Sequence, residues 1–211
     1  MEKQLNHLIE RYPQLSICKE DIKNAYFILE AAYKNGQKLL VCGNGGSASD
    51  SEHIVGELMK EFKLKRKVYA GQAAALKEID LELGQVLADN LQGALPAISL
   101  TGHSSLQTAF MNDAVPELVF AQQVNGYGKP GDVFLGISTS GNSKNVLYAA
   151  VNAKAKGLKV IGLTGAKENK LMKYADVCIR VPETETYKIQ ELHLPVYHCI
   201  CLMLEDKFFG E

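Results

Sequence analysis

The chain has 211 residues, 46% of them apolar, and 23 lysines and arginines against 24 aspartates and glutamates, for a net charge of −1. That length supports one domain with additions or at most two small ones, the apolar content argues against a disordered chain, and the balanced charge removes the phosphate attraction on which most nucleic-acid binders depend. No run of about 18 apolar residues offers a membrane span, and the charged, amphipathic start MEKQLNHLIERYPQ does not read as a signal peptide.

Residues 1–36 carry Leu5, Leu8, Ile9, Ile22, Ala25, Ile28 and Leu29 at mostly helical spacing, predicting one or two helices that stop near Asn35-Gly36. KLLVCG (38–43) predicts a buried strand, followed by a glycine-rich loop and a helix over 47–62. Residues 63–95 break the rhythm: a basic cluster, KLKRK (63–67), leads into Ala- and Leu-rich residues that read as a partly helical insertion. The cluster reads first as a solvated face, with guidance of an anionic substrate as the alternative. PAISLTG (96–102), GDVFLGIS (131–138), KVIGLTG (159–165) and ADVCIRV (175–181) predict four more strands, with helices over 142–156 and from 185 to about 208. Uninterrupted apolar strands belong to a parallel sheet covered on both faces. The expected architecture is α/β, a doubly wound, mostly parallel five-stranded sheet in a single domain over 1–211.

Five cysteines (Cys18, Cys42, Cys178, Cys199, Cys201) form an odd set without zinc-ribbon spacing, and four lie inside apolar runs. They read as buried free thiols of a protein in the reducing cytoplasm.

Two loops carry chemistry. Gly43-Asn44-Gly45-Gly46-Ser47-Ala48 follows the first strand and opens a helix, fitting G-x-G-x-x-A. The acidic strand end that a dinucleotide site needs is missing from KEFKLKRKVYAG, so no nucleotide cofactor is expected. What remains is a glycine loop that lets a ligand reach amides at a helix N-terminus. The second loop, Ser138-Thr139-Ser140-Gly141-Asn142-Ser143, sets four hydroxyls between a strand and a helix. One hydroxyl is enough for a cap, so four favour a phosphate cradle.

His53 and Glu57 lie four apart on one helical face, where they can share a divalent metal such as zinc or form a plain surface pair. Gln190, His193 and His198 share the last helix. Gln190 and His198 are about 12 Å apart along its axis, so reaching one metal requires a kink at Pro195 or contributions from neighbouring subunits.

CGNGGSASD, GISTSGNS, VIGLTG and KIQELHLPVYH together resemble the sugar isomerase (SIS) domain, most closely the phosphoheptose isomerases, over about residues 20–205 apart from the insertion. The resemblance implies a homotetramer with sites at subunit interfaces, converting sedoheptulose 7-phosphate to D-glycero-D-manno-heptose 7-phosphate for surface-polysaccharide synthesis. It implies zinc held by His53, Glu57, Gln190 and His198, with His193 outside the set. Through an enediol, Glu57 would act as base and His198 as acid, with zinc polarising the oxygens. Asn44, Gly45, Gly46, Ser47, Asn112, Asp113, Glu57 and Gln190 would contact the sugar, and Ser138, Thr139, Ser140 and Ser143 the phosphate. Similar SIS proteins bind phosphosugars or the replication initiator without catalysis; the retained His53, Glu57, Gln190 and His198 favour the enzyme. Isomerisation of another ketose phosphate is the third reading. Departures from the family are Glu61 and Lys188 where arginines stand, and Tyr187 where an acidic residue stands.

Overall fold

The computed structural model describes residues 1–210. Helices α1 (Glu2–Arg11) and α2 (Lys19–Lys34), joined by a 3-10 turn, precede the first strand. Leu5, Leu8, Ile22, Ala25 and Leu29 are buried, so the predicted apolar stripe faces the core. The strands are β1 (Leu39–Cys42), β2 (Ala97–Ser99), β3 (Val133–Ile137), β4 (Lys159–Thr164) and β5 (Val177–Arg180). Each falls inside the apolar run that predicted it. All pairings are parallel, in the order β2-β1-β3-β4-β5, which is the doubly wound class expected.

Side chains alternate across the sheet. Leu39, Val41, Val133, Leu135 and Ile137 face a layer of α1, α2, α3 (Gly46–Met59) and the last helix, α9 (Thr186–Phe209). Leu40, Cys42, Phe134 and Val160 face α7 (Val119–Tyr127) and α8 (Lys144–Ala155). All five cysteines are free, and all but the half-buried Cys178 are buried. Burial raises their thiols, Cys18 to about 11 and Cys199 to about 12, which leaves them unreactive. Among the described residues no helix is long and apolar enough to cross a membrane.

The helix after β1 ends at Met59, short of the predicted 62. The chain turns there because the amides of Phe62 and Lys63 donate to the buried Glu205 carboxylate, each at 2.9 Å. The helix predicted to begin at 142 begins at Lys144, since Asn142 stays in the loop and donates to the Ser140 carbonyl. Residues 63–95 hold two antiparallel helices, α4 (Ala70–Ile79) and α5 (Leu81–Asn90), closed at the root by an isolated Lys67–Gln92 bridge. Within the basic cluster, Arg66 is buried: it donates to Glu205 at 2.8 Å and to the carbonyls of Leu58 and Glu57. That arginine braces the fold, leaving Lys63, Lys65 and Lys67 exposed. Helix α6 (Ser104–Asp113) had no counterpart among the predicted elements. It buries none of its residues, so no apolar period marks it.

Candidate active site

The strand order reverses direction between β1 and β3, and open α/β sheets bind ligands in the crevice at such a switch point. The two loops singled out in the sequence follow these two strands. Gly45, at φ +56°, turns the chain into α3. A Cβ on Gly46 would lie 2.6 Å from Gln190 Nε2, so glycine leaves room for the Gln190 amide beside the loop.

The second loop is shaped by its own hydroxyls. Ser138 Oγ lies 3.0 Å from Ser143 Oγ and accepts from the Gly141 amide at 3.1 Å. Gly141 takes φ +63°, and a Cβ there would sit 2.1 Å from Asn169 Cγ. Ser143 occupies the N-cap of α8, yet its side chain caps nothing. Helices α3 and α9 likewise begin without a side-chain cap.

These three N-termini border one cavity of about 330 Å³. Of the predicted contacts, Asn44, Gly45, Gly46, Ser47, Ser138, Thr139, Ser143 and Gln190 line it, joined by Thr186. No lysine or arginine is among its lining residues, so an anion there meets amides, hydroxyls and the positive ends of helices. Ser140 lies in the adjoining groove with Thr139 and Asn142. Sequence reasoning missed Asn145. Its side-chain amide exchanges two hydrogen bonds with that of Asn44, at 2.9 and 2.8 Å, tying the loops together.

Helices α3 and α9 pack side by side in parallel: Gly46 meets Gln190 and, two turns on, His53 meets Tyr197. His53 Nδ1 is 3.0 Å from the Tyr197 hydroxyl, which donates to Asp50 Oδ1 at 3.2 Å. A hydroxyl that gives its proton to Asp50 accepts one from His53, placing the ring proton on Nδ1. His53 Nε2 then faces Glu57 Oε1 at 3.1 Å. Two lone pairs at that separation require a proton or a cation between them. The His198 ring lies 4.9 Å from that of His53. Burial, then the neighbouring His53, hold His198 below the ordinary imidazole range, so it is neutral at pH 7.

Among the described residues, Glu57 Oε2 and His198 Nε2 are buried without hydrogen-bond partners, with Lys60 Nζ 3.8 Å from Glu57 Oε2. Two ligands of a tetrahedral zinc lie about 3.4 Å apart, near the 3.1 Å between His53 Nε2 and Glu57 Oε1. The donor chemistry of His53, Glu57 and His198 thus fits zinc. Among the described residues, no three His, Cys, Asp or Glu side chains already form a metal-ready cluster. Gln190 lies in the cavity bordered by the three helix N-termini, about 12 Å along α9 from His198. Helix α9 is continuous through Pro195.

The remaining predicted residues fall elsewhere. Asn112 and Asp113 end α6, exposed, with Asn112 donating to Asp113 at 2.8 Å. His193 is fully buried. The Thr164 backbone lies near it, yet neither ring nitrogen completes a hydrogen bond, and burial lowers its pKa to about 4. Of the family departures, Lys188 pairs with Glu185 and Tyr187 is exposed.

A SIS-domain family model matches residues 71–165. The phosphoheptose isomerase of Rhodospirillum rubrum is 39% identical over 193 residues, 92% of this chain and 89% of that protein. Phosphoheptose isomerase 2 of Campylobacter jejuni is 41% identical over 190 residues, 90% of this chain and 82% of that one. The solved phosphoheptose isomerase of Neisseria gonorrhoeae superposes with a TM-score of 0.72 at 30% identity, covering 97% of this chain and 98% of its own.

Proposed function

The chain belongs to the phosphoheptose isomerase family of SIS-domain proteins and is a sugar-phosphate isomerase, and on that premise we propose that it interconverts sedoheptulose 7-phosphate and D-glycero-D-manno-heptose 7-phosphate. The observation that carries this reading is a length. Seven residues separate Gly46 in the cradle from His53 in the polar cluster, about 10 Å of helix. An extended heptulose 7-phosphate spans about 10 Å from phosphorus to C1, at about 1.2 Å per bond. A triose phosphate spans about half that, by the same measure.

In this reading the hydroxyls and helix N-termini hold the phosphate while Asn44 and Gln190 orient the chain of carbons. The Glu57 carboxylate takes a proton from the carbon beside the carbonyl and returns it to the neighbouring carbon, by way of an enediol. His198, neutral at pH 7, presents its ring N–H to the carbonyl oxygen. Zinc held by His53, Glu57 and His198 would supply Lewis-acid polarisation of that oxygen. A homotetramer with composite sites, use of the product in surface polysaccharide and a cytoplasmic location suited to five free thiols complete the proposal.

The test is turnover of sedoheptulose 7-phosphate, with and without a chelator, beside shorter ketose phosphates. Expected are a preference of about 10-fold or more for the heptulose, loss on chelation and recovery with zinc. Glu57→Gln should abolish turnover while phosphosugar binding persists. Equal turnover of a ketopentose phosphate would overturn the length reading, and an active Glu57→Gln enzyme would remove the base.

A further inference from the structure

We propose that the arm formed by α4 and α5 is a self-association surface that lies antiparallel against the same arm of a second copy of this chain. The two helices pack on each other and hardly on the body. They close at Gly84, where a Cβ would lie 2.2 Å from the Leu76 carbonyl oxygen, and Gly84 is the one buried residue of the pair. Ile79, Leu81 and Leu83 are 85%, 77% and 65% exposed, and Val86, Leu87 and Leu91 continue the exposed set. Leu83 and Leu87 lie one turn apart on one face of α5, and Leu91 follows at its C-cap. Ten-residue helices are marginal in water unless an apolar face is covered, and a contiguous apolar surface of this kind marks an interaction site.

The charges on the arm identify what covers the stripe. Its tip carries the exposed Glu78, Asp80 and Glu82 with one half-buried lysine, Lys77; its root carries the exposed Lys63, Lys65 and Lys67 with one exposed carboxylate, Asp89, so tip and root keep opposite net signs. Each helix is about 15 Å long. A partner of one charge sign would meet a like charge at one end. A second arm laid antiparallel about a two-fold axis sets acidic tip on basic root at both ends and apolar stripe on stripe, the self-complementary pattern of an isologous interface. The root also reaches the acid-base cluster, since Arg66 holds the Glu57 and Leu58 carbonyls. Pairing of arms therefore stiffens the end of α3 that carries Glu57.

The inference rests on the reading of the chain as an assembly of identical subunits, and not on which sugar it converts. Sedimentation velocity of the full chain at low and high salt tests it, with turnover recorded separately on the same samples. The wild-type chain should assemble, more weakly as salt rises. Leu83→Glu with Leu87→Glu should weaken assembly about 10-fold or more. Lys65→Glu with Lys67→Glu, or Glu78→Lys with Glu82→Lys, should each weaken it about 5- to 10-fold at low salt. All four charge changes in one chain should restore it, because tip and root again complement each other. This swap retains the arm's charged residue types and so decides the matter if glutamates in the stripe unwind the helices. A monomeric wild-type chain, or a four-change chain no better than either double variant, would overturn the proposal.

Discussion

His53 is held at Nδ1, 3.0 Å from the Tyr197 hydroxyl, although 144 residues separate the two in the chain. The hydroxyl passes the hydrogen bond on to Asp50, leaving His53 Nε2 to face Glu57. Groups that fix the tautomer of such a histidine contribute about 10- to 100-fold to metal affinity or activity when it ligates. Tyr197→Phe is expected to lower kcat about 10-fold with little change in KM, and to cost about 1 kcal/mol of stability. Steady-state kinetics beside urea unfolding checks this; lost stability with unchanged kcat would make Tyr197 a packing residue only.

Asn145 acts on the other end of the site. Its paired amide bonds to Asn44 set the spacing between the glycine loop and the hydroxyl-rich loop. Asn145→Ala should raise KM about 5- to 10-fold with kcat within about 2-fold. A changed kcat at constant KM would place Asn145 nearer the reacting carbons.

The buried pair of Arg66 and Glu205 anchors the root of the arm. Removing the guanidinium leaves a buried carboxylate with only two backbone amides. Arg66→Met should cost about 3–5 kcal/mol in urea unfolding, and Arg66→Met with Glu205→Leu should recover much of it. A double variant as unstable as the single one would show that the amides, not the ion pair, require Glu205.

His193 makes stability depend on pH. Its pKa falls from the ordinary 6.5 to about 4 because the ring is buried without a partner. Above pH 6.5 both states are neutral at this residue. Between 6.5 and 4 the unfolded chain takes up a proton that the folded chain refuses, so stability falls as pH falls, by about 3 kcal/mol in all. His193→Leu should flatten that part of the profile, read from urea midpoints at pH 7, 5.5 and 4.5. Parallel profiles for the two proteins would rule the residue out.

Some of this was legible along the chain. KLLVCG and GDVFLGIS read as buried strands because continuous apolar runs have one stable setting, a sheet covered on both faces. The glycines of the first loop and the hydroxyls of the second marked both as candidate ligand contacts, since their chemistry is local to each loop, and the two loops do line one cavity. The i,i+4 spacing of His53 and Glu57 was likewise readable, because one helix sets it.

Helix α6 and the exposed arm were less visible. An element that buries nothing leaves no apolar period, and exposure is a property of what packs nearby. Asn145 and Tyr197 look ordinary in sequence, because their roles depend on partners 101 and 144 residues away.

The sequence by itself therefore determined the class of sheet, the glycine-rich and hydroxyl-rich loops that follow two of its strands, and the helical pairing of His53 with Glu57. Only the tertiary structure decided that the loops meet at the switch point between β1 and β3, and that α3 and α9 run parallel with His53 against Tyr197. It also turned Arg66 inward, onto Glu205 and the carbonyls of Glu57 and Leu58. The physical reason is the range of the interactions: helix period, turn geometry and strand burial act between near neighbours in the chain. The placing of the loop cavity relative to the His53, Glu57 and His198 side chains is set by the packing of two helices that the chain makes far apart.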